Sequence, residues 1–377
     1  MRIGIPKVEN LSNELEISAL INSEKLGIKD FKLWYRLPLE MSSLISLSSN
    51  SFATSIFLLS LAIGEDLEVE GEMSLKLKQN MEQIIKLFSS WRNTKTWIMK
   101  PTNIHIKSEV NESNSITPQG IGLFFTLGVD SFHTLEDSEN KHQPGVNPIS
   151  HLIFISGFDI PNSKQGLINQ TRENINMVAK SLNKKVLFVS TNLREISDPI
   201  LNWESEHGAA IASVGQMFAK ILSKVFISSS DANVTNSPYG THPDLDKLWS
   251  TETLEFVTYA PRVERYDKMS VIVKSMLAKQ YLRVCWENKE NKYNCCNCDK
   301  CLRTMLQIMT HGNLKEFITF DSEIPLNILD SIIEPVHRFN TWKRIVKGLS
   351  DSEENIEIKL KILNMLKRSE ANLTTII

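Results

Sequence analysis

All five cysteines of the chain, Cys285, Cys295, Cys296, Cys298 and Cys301, fall within one 17-residue window, and the other 360 residues contain none. A secreted disulfide framework spreads its cysteines along the chain; tight clustering with two-residue gaps is what a metal site requires. The spacing C-x9-C-x2-C-x2-C suits four thiolates around a tetrahedral Zn2+ ion. Cys295, Cys298 and Cys301 are the expected close ligands and Cys285 the distal one. Cys296 competes with Cys295 for one position, and an iron–sulfur cluster is the rival occupant. Lys292, Lys300 and Arg303 are expected to offset the charge of a tetrathiolate. Four cysteines close the coordination shell, so the expected role is a structural staple between a sheet and the C-terminal helices.

The second stretch with chemical content runs from Gly122 to Leu135. The apolar run Ile121 to Phe125 reads as a strand buried on both faces. The turn Thr126-Leu127-Gly128-Val129 and the pair Asp130-Ser131 follow, then residues able to open a helix. Strand, tight loop and helix start present backbone amides and a positive dipole end to a phosphate. His207, in Glu204-Ser205-Glu206-His207-Gly208, is either a substrate contact at a helix start or a capping residue. His242, in a polar loop, is the better substrate candidate, while His133 and His151 read as structural. Arg262, Arg265 and Lys268 are candidates for recognising an acid or a phosphate, with solvent-facing helix charges as the alternative. H-E-x-x-H, G-x-S-x-G, Walker A and complete G-x-G-x-x-G patterns are absent.

These residues need a scaffold. Apolar runs recur at Ile121–Phe125, His151–Ser156, Lys185–Ser190 and Lys224–Ser229, with helical patterns over 165–182 and 204–222. That alternation predicts βαβ units and an α/β fold with a doubly wound parallel sheet. Its ligand edge, beyond the strand carboxyl ends, would gather 127–131, 157–159, 191–192 and 230–231. Residues 1–115 read as an N-terminal α+β accessory domain. It has strands near 33–38, 67–70 and 103–110, helices over 52–63 and from Ser74, and a linker at 111–115. Residues 118–312 form the predicted sheet domain with the cysteine site, and 313–377 a C-terminal helical extension covering the sheet or the N-terminal domain. Residues 235–270 read as a long irregular loop, with a helix over 264–277.

The 377 residues carry a net charge of −2, which argues against a general nucleic-acid backbone binder. The longest apolar stretch, Phe52–Ile63, is too short to span a bilayer. Met1–Lys7 lacks the apolar region of a signal peptide. The expected location is therefore cytoplasmic, without membrane partners.

An Asp-Ser-ending loop after the first sheet strand, combined with C-x9-C-x2-C-x2-C near the end of the same domain, resembles the PP-loop ATP pyrophosphatase superfamily. Within it the chain looks like the 7-cyano-7-deazaguanine synthase (QueC) family over residues 118–312. The family loop Ser-Gly-Gly-x-Asp-Ser corresponds to Thr126-Leu127-Gly128-Val129-Asp130-Ser131, so Leu127 stands where the pattern has its first glycine. The resemblance implies that Thr126, Leu127, Gly128, Val129, Asp130 and Ser131 hold the pyrophosphate of ATP. Asp130 and Ser131 would be catalytic, Asp130 as the Mg2+ ligand, and Ser156, Gly157 and Phe158 would flank adenine. It implies adenylation of a 7-carboxy-7-deazaguanine-like acid, then attack by nitrogen to give an amide; the synthases spend a second ATP to reach the nitrile. The added segments resemble QueC-like proteins of antiphage operons (type IV CBASS and Qat), which stop at an amide with the N-terminal amine of a partner protein. Leu127 keeps a non-catalytic nucleotide-binding scaffold as a further alternative.

Overall fold

The computed structural model describes residues 1–91, 99–111, 118–141, 148–230 and 239–374. In chain order the strands are β1 (Arg2–Ile3), β2 (Lys7–Asn10), β3 (Glu14–Ser23), β4 (Ile28–Pro38), β5 (Leu67–Ser74), β6 (Ile104–Val110), β7 (Gly120–Phe124), β8 (His151–Ser156), β9 (Lys185–Thr191), β10 (Leu222–Ser228) and β11 (Glu255–Tyr259). The helices are α1 (Asn50–Ile63), α2 (Leu75–Ser90), α3 (Val129–Asn140), α4 (Gln165–Ser181), α5 (Leu193–Ser197), α6 (Trp203–Met217), α7 (Pro243–Asp246), α8 (Arg265–Ile272), α9 (Met276–Tyr281), α10 (Asp299–His311), α11 (Phe339–Gly348) and α12 (Glu353–Thr374).

All eleven strands join one mostly parallel sheet in the order β11-β10-β7-β8-β9-β4-β3-β1-β5-β6, with β2 paired to β3. The half from β11 to β9 is wholly parallel. Its strand order reverses between β10 and β7, the crevice position that α/β sheets use for ligands.

The first 110 residues do not stand apart from this sheet. β4 pairs antiparallel with β9 at Tyr35↔Thr191 and Arg36↔Ser190. Thr191 Oγ1 donates to Trp34 O at 2.9 Å, and Trp34 N donates to Asn192 Oδ1 at 2.9 Å. The reason lies in α1, whose residues Asn50 to Leu61 are all buried. A helix that is apolar all round must be covered on every side. It lies in one core with β3, β4, β5 and α6, so the N-terminal segment and the parallel half share their interior. Of the expected linker, 112–115 lie outside the described residues.

Three further expectations change. Within 235–270, β11 closes one sheet edge and α7 intervenes. Only Phe256 of Glu-Phe-Val-Thr-Tyr is buried, so this short edge strand reads as polar in sequence. The single helix expected over 264–277 breaks at Val273, and Ser275 caps α9 by accepting from Ala278 N at 3.1 Å. The C-terminal helices α11 and α12 cover neither the sheet nor the N-terminal strands. Leu302 and Leu306 of α10 join Trp342, Ile345, Ile358 and Ile362 in a separate core. No helix among the described residues is long and apolar enough to cross a membrane.

One buried group in the shared core is out of balance. Both carboxylate oxygens of Glu206 on α6 are buried without a hydrogen-bond partner among the described residues. Burial above all pushes its pKa up to about 8; Ser197 is close enough to lower it slightly but makes no bond of good geometry. The folded chain therefore holds a proton that the unfolded chain releases above the ordinary value of 4.5. This stabilisation is full below that value and is lost as pH rises through about 8, with a slope of at most about 1.4 kcal/mol per pH unit. Glu206→Gln is expected to remove most of that slope and to raise the melting temperature on the alkaline side of neutrality. Thermal unfolding across pH reads this; a variant with the wild-type slope would sink the assignment.

Candidate functional site

The loop after β7 delivers its residues to the crevice between β7 and β10. Gly128 is the N-cap of α3, and the first helical hydrogen bond runs from Phe132 N to Gly128 O at 2.9 Å. The amides of Val129, Asp130 and Ser131 therefore have no partner within the helix, the usual condition of a helix start. Thr126 is exposed at this mouth, while Ser131 is buried and donates its hydroxyl to Gly128 O at 3.1 Å. Leu127 adopts a left-handed φ of 63° with its side chain fully buried. It thus takes the backbone shape that a glycine would supply freely, at a cost of about 1–2 kcal/mol. The buried side chain returns about 1.5–3 kcal/mol, which offsets the strain.

Asp130 is the electrostatic centre. Arg265 Nη1 reaches Oδ2 at 2.5 Å and Lys268 Nζ reaches Oδ1 at 3.0 Å, both from α8. Burial alone would raise the Asp130 pKa; the Lys268 and Arg265 charges outweigh it and hold the carboxyl below its ordinary range. Lys268 is itself buried and also donates to Ser229 O and Oγ at the end of β10. Arg265 Nη2 is buried with no partner among the described residues. A third cation, Lys300, faces Asp130 and Asp159, with its pKa lowered by burial first. Among the described residues it makes no ion pair. Two cations hold Asp130 at the helix start and a third, Lys300, lies within electrostatic reach of Asp130 and Asp159, a local excess suited to an anion.

The loop after β8 forms the next wall. Ser156 is buried at the strand end. Gly157 sits at φ 95°, and a Cβ there would lie 2.1 Å from Thr191 O, so only glycine fits. Phe158 packs on Trp203 with ring centroids 5.0 Å apart, and Arg194 lies over Trp203 at 4.8 Å. His207 stacks edge-on with Tyr239 at 4.9 Å. Its Nδ1 lies 3.0 Å from Trp203 O and its Nε2 3.3 Å from Thr241 Oγ1. Burial, above its other surroundings, lowers the His207 pKa and favours the neutral ring. The start of α6 packs against the segment before α7: a Cβ on Gly208 would lie 1.8 Å from Gly240 O.

The cysteines form a second centre. Sγ atoms of Cys285, Cys295, Cys298 and Cys301 all lie within 4.8 Å of one another, and all four residues are buried. Around one tetrahedral Zn2+ with bonds of about 2.3 Å, sulfurs sit about 3.8 Å apart; Cys295 and Cys301 are 3.9 Å apart. A multi-iron cluster needs its sulfurs spread more widely, so the arrangement fits a single ion such as zinc. Asn297 N and Cys301 N each donate to a cysteine sulfur, Cys295 and Cys298 respectively, at 3.4 Å. Cys285 is held below the usual thiol range by hydrogen bonds from Cys298 and Cys301. Cys296 is turned away, at φ 52°, and accepts from Asp321 N at 3.3 Å. That separates Cys295 from Cys296 as the ligand.

The expected counter-charges are redistributed. Lys289, rather than Lys300, lies near Cys295 and Cys298, although it pairs with Glu287 at 2.5 Å, and buried Arg283 lies near Cys285 and Cys301. Lys292 pairs with Glu290 at 3.2 Å, and Arg303 with Asp299 and Glu334. The extended segment that carries Cys285 instead braces the ligand crevice. Arg283 N donates to Leu127 O at 2.9 Å, and Asn288 Nδ2 donates to Asp159 O at 2.7 Å. Cys298 caps α10, whose first turn carries Lys300.

The structure brings Thr126 to Ser131, Ser156 to Phe158, His207, Arg265 and Lys268 to one edge. It leaves His242 elsewhere: its ring accepts from Asp244 N at 3.0 Å as the cap of α7 and packs on Trp91. Arg262 is exposed and makes no ion pair among the described residues. Trp203 and Tyr239 are residues of this edge that sequence reasoning missed, and Lys300, expected beside the thiolates, lies near Asp130 and Asp159 instead. The only sequence signal for Lys300 was its place inside a C-x-x-C step that opens a helix.

Comparison with protein-family models, curated proteins and solved structures returns no match.

Two measurements test this geometry. Elemental analysis should return about one zinc per chain; Cys285→Ser should lose it and Cys296→Ser keep it, and equal loss in both would overturn the ligand set. Leu127→Gly relieves backbone strain but empties buried volume. Since the cavity term, about 2–5 kcal/mol for large-to-small changes, exceeds the strain, the variant should be net destabilised. A stabilised variant in chemical denaturation would refute that balance.

Proposed function

We propose that the chain is an ATP-dependent carbon–nitrogen ligase that adenylates a carboxylate and transfers the acyl group to nitrogen. The observation that carries this reading is the excess of Arg265, Lys268 and Lys300 over Asp130 and Asp159 at the start of α3, inside the β7/β10 crevice. The partly open rings of Trp203, His207 and Tyr239 beside it favour a planar heterocyclic acid, a 7-carboxy-7-deazaguanine-like compound. The family resemblance supplies the reaction class.

The carboxylate oxygen attacks the α-phosphorus of ATP; the α–β anhydride bond breaks and pyrophosphate leaves. An amine then attacks the acyl carbon, AMP departs with the oxygen, and the amine loses a proton. Arg265 and Lys268 would turn from Asp130 to the phosphate oxygens, with the α3 amides at the same charges. Asp130 would then hold Mg2+, which neutralises phosphate charge. Neutral His207 would hydrogen-bond the heterocycle, and Lys300 the departing anion. The zinc-type centre contributes position alone, because four thiolates leave it no open coordination site.

A second reading is a non-catalytic nucleotide-binding scaffold. It is favoured by one observation: both Asp130 oxygens are occupied by cations, leaving none directed at a metal.

Incubation with ATP, Mg2+ and 7-carboxy-7-deazaguanine, with ammonia or a candidate partner protein as amine, separates the readings. AMP release with amide mass supports the ligase; a free nitrile identifies a nitrile synthase; a partner gaining deazaguanine mass identifies conjugation of the antiphage kind. ATP binding without AMP would leave the scaffold. Lys268→Ala should lower AMP formation by at least about a hundredfold, as expected for losing a charge aimed at the transferring group. Undiminished turnover would remove Lys268 from the machinery.

A further inference from the structure

The C-terminal helix α12 carries two apolar stripes, and the fold uses only one. Ile358, Ile362, Met365 and Leu366 are buried in one core with α10 and α11, and Asn355 and Ser369 are buried on the same face. On the opposite face Ile356, Leu360 and Leu363 are 47, 56 and 41% exposed. Glu353, Ile356, Leu360, Leu363 and Lys367 follow one another at steps of three, four, three and four. That is the a/d spacing by which one helix packs along another. The helix is 22 residues long, or about 33 Å at 1.5 Å per residue, ample for such a seam.

The charges at the two ends of the stripe are opposite. Glu353, Glu354 and Glu357 lie at the start and Lys367 at the end, and none forms an ion pair among the described residues. Acid at the helix start also suits the helix dipole. The dipole gives no reason for the three exposed apolar residues between them.

We propose that this face is a self-association surface, on which α12 pairs antiparallel with α12 of a second copy of the chain about a two-fold axis at Leu360. The arithmetic of the stripe selects the direction. Antiparallel pairing centred on Leu360 sets Leu360 against its own copy and Ile356 near Leu363. It also sets Glu353 beside Lys367 twice. Parallel pairing would stack Glu353 on Glu353 and Lys367 on Lys367, which is repulsive at both ends. An isologous contact closes on itself and gives a dimer rather than a filament. Three apolar side chains per copy make a small interface, so affinity should be roughly micromolar.

Sedimentation velocity of the full chain from about 1 to 100 µM tests this. A concentration-dependent dimer is expected. Leu360→Glu places two carboxylates on the axis and should raise Kd by at least about tenfold, with an unchanged melting temperature showing that the helix still docks. Lys367→Glu should also weaken the dimer, and Glu353→Lys combined with Lys367→Glu should restore it. A monomer at every concentration overturns the proposal. So does a dimer indifferent to Leu360→Glu, or a charge swap that fails to restore association.

Discussion

A buried carboxylate is costly unless its charge is met, and Asp130 is met from two sides by Arg265 and Lys268. Much of the crevice follows from that requirement. The pairing ties the start of α3 to α8, and Lys268 extends it to Ser229 at the end of β10. Three elements distant in the chain thus meet at the point where the strand order reverses. The same pairing leaves surplus positive charge, since Lys300 approaches without an ion pair of its own among the described residues. An anion entering there would exchange one set of charge-assisted bonds for another rather than displace bare solvent.

The cysteine centre is a brace with two arms. One arm is the backbone bond from Arg283 N to Leu127 O; the other is Asn288 against Asp159 O. Both ligand-edge loops are therefore held by the segment that supplies Cys285. The centre also starts α10 through Cys298, which fixes the direction in which Lys300 projects. On its far side α10 is gripped by Glu334, which accepts from Trp342 Nε1 at 2.9 Å and pairs with Arg303 and Arg338. Cysteine centre, crevice and C-terminal extension are thus one mechanical unit, although none of the four clustered cysteines reaches the crevice itself.

Leu127 shows how such a brace permits an unusual residue. Its left-handed backbone is unfavourable for a branched side chain. Burial of that side chain in one core with Val129, Phe132 and Val284 compensates, and the carbonyl is locked by Arg283. The loop therefore keeps the shape a glycine would give while being stiffer than glycine would make it.

Much was legible in the sequence because it depended on local rules. The period of the apolar runs located β7 to β10 and the helices α4 and α6 to within a few residues. Ser74 announced α2, and the cysteine spacing announced a four-sulfur site. Those signals arise from backbone geometry, which repeats along the chain. What sequence left undecided depended on distance in space. The choice of Cys295 over Cys296 rested on a backbone turn at Cys296. The continuity of the N-terminal strands with the parallel half rested on β4 finding β9. Lys300 became a crevice residue, and His242 a helix cap, because packing set their neighbours. A charge or a ring has no one-dimensional signature of what it will face. The sequence by itself determined which segments form strands, helices and a thiol cluster; only the tertiary structure decided which side chains meet, because electrostatics and packing act between residues that the chain brings together from afar.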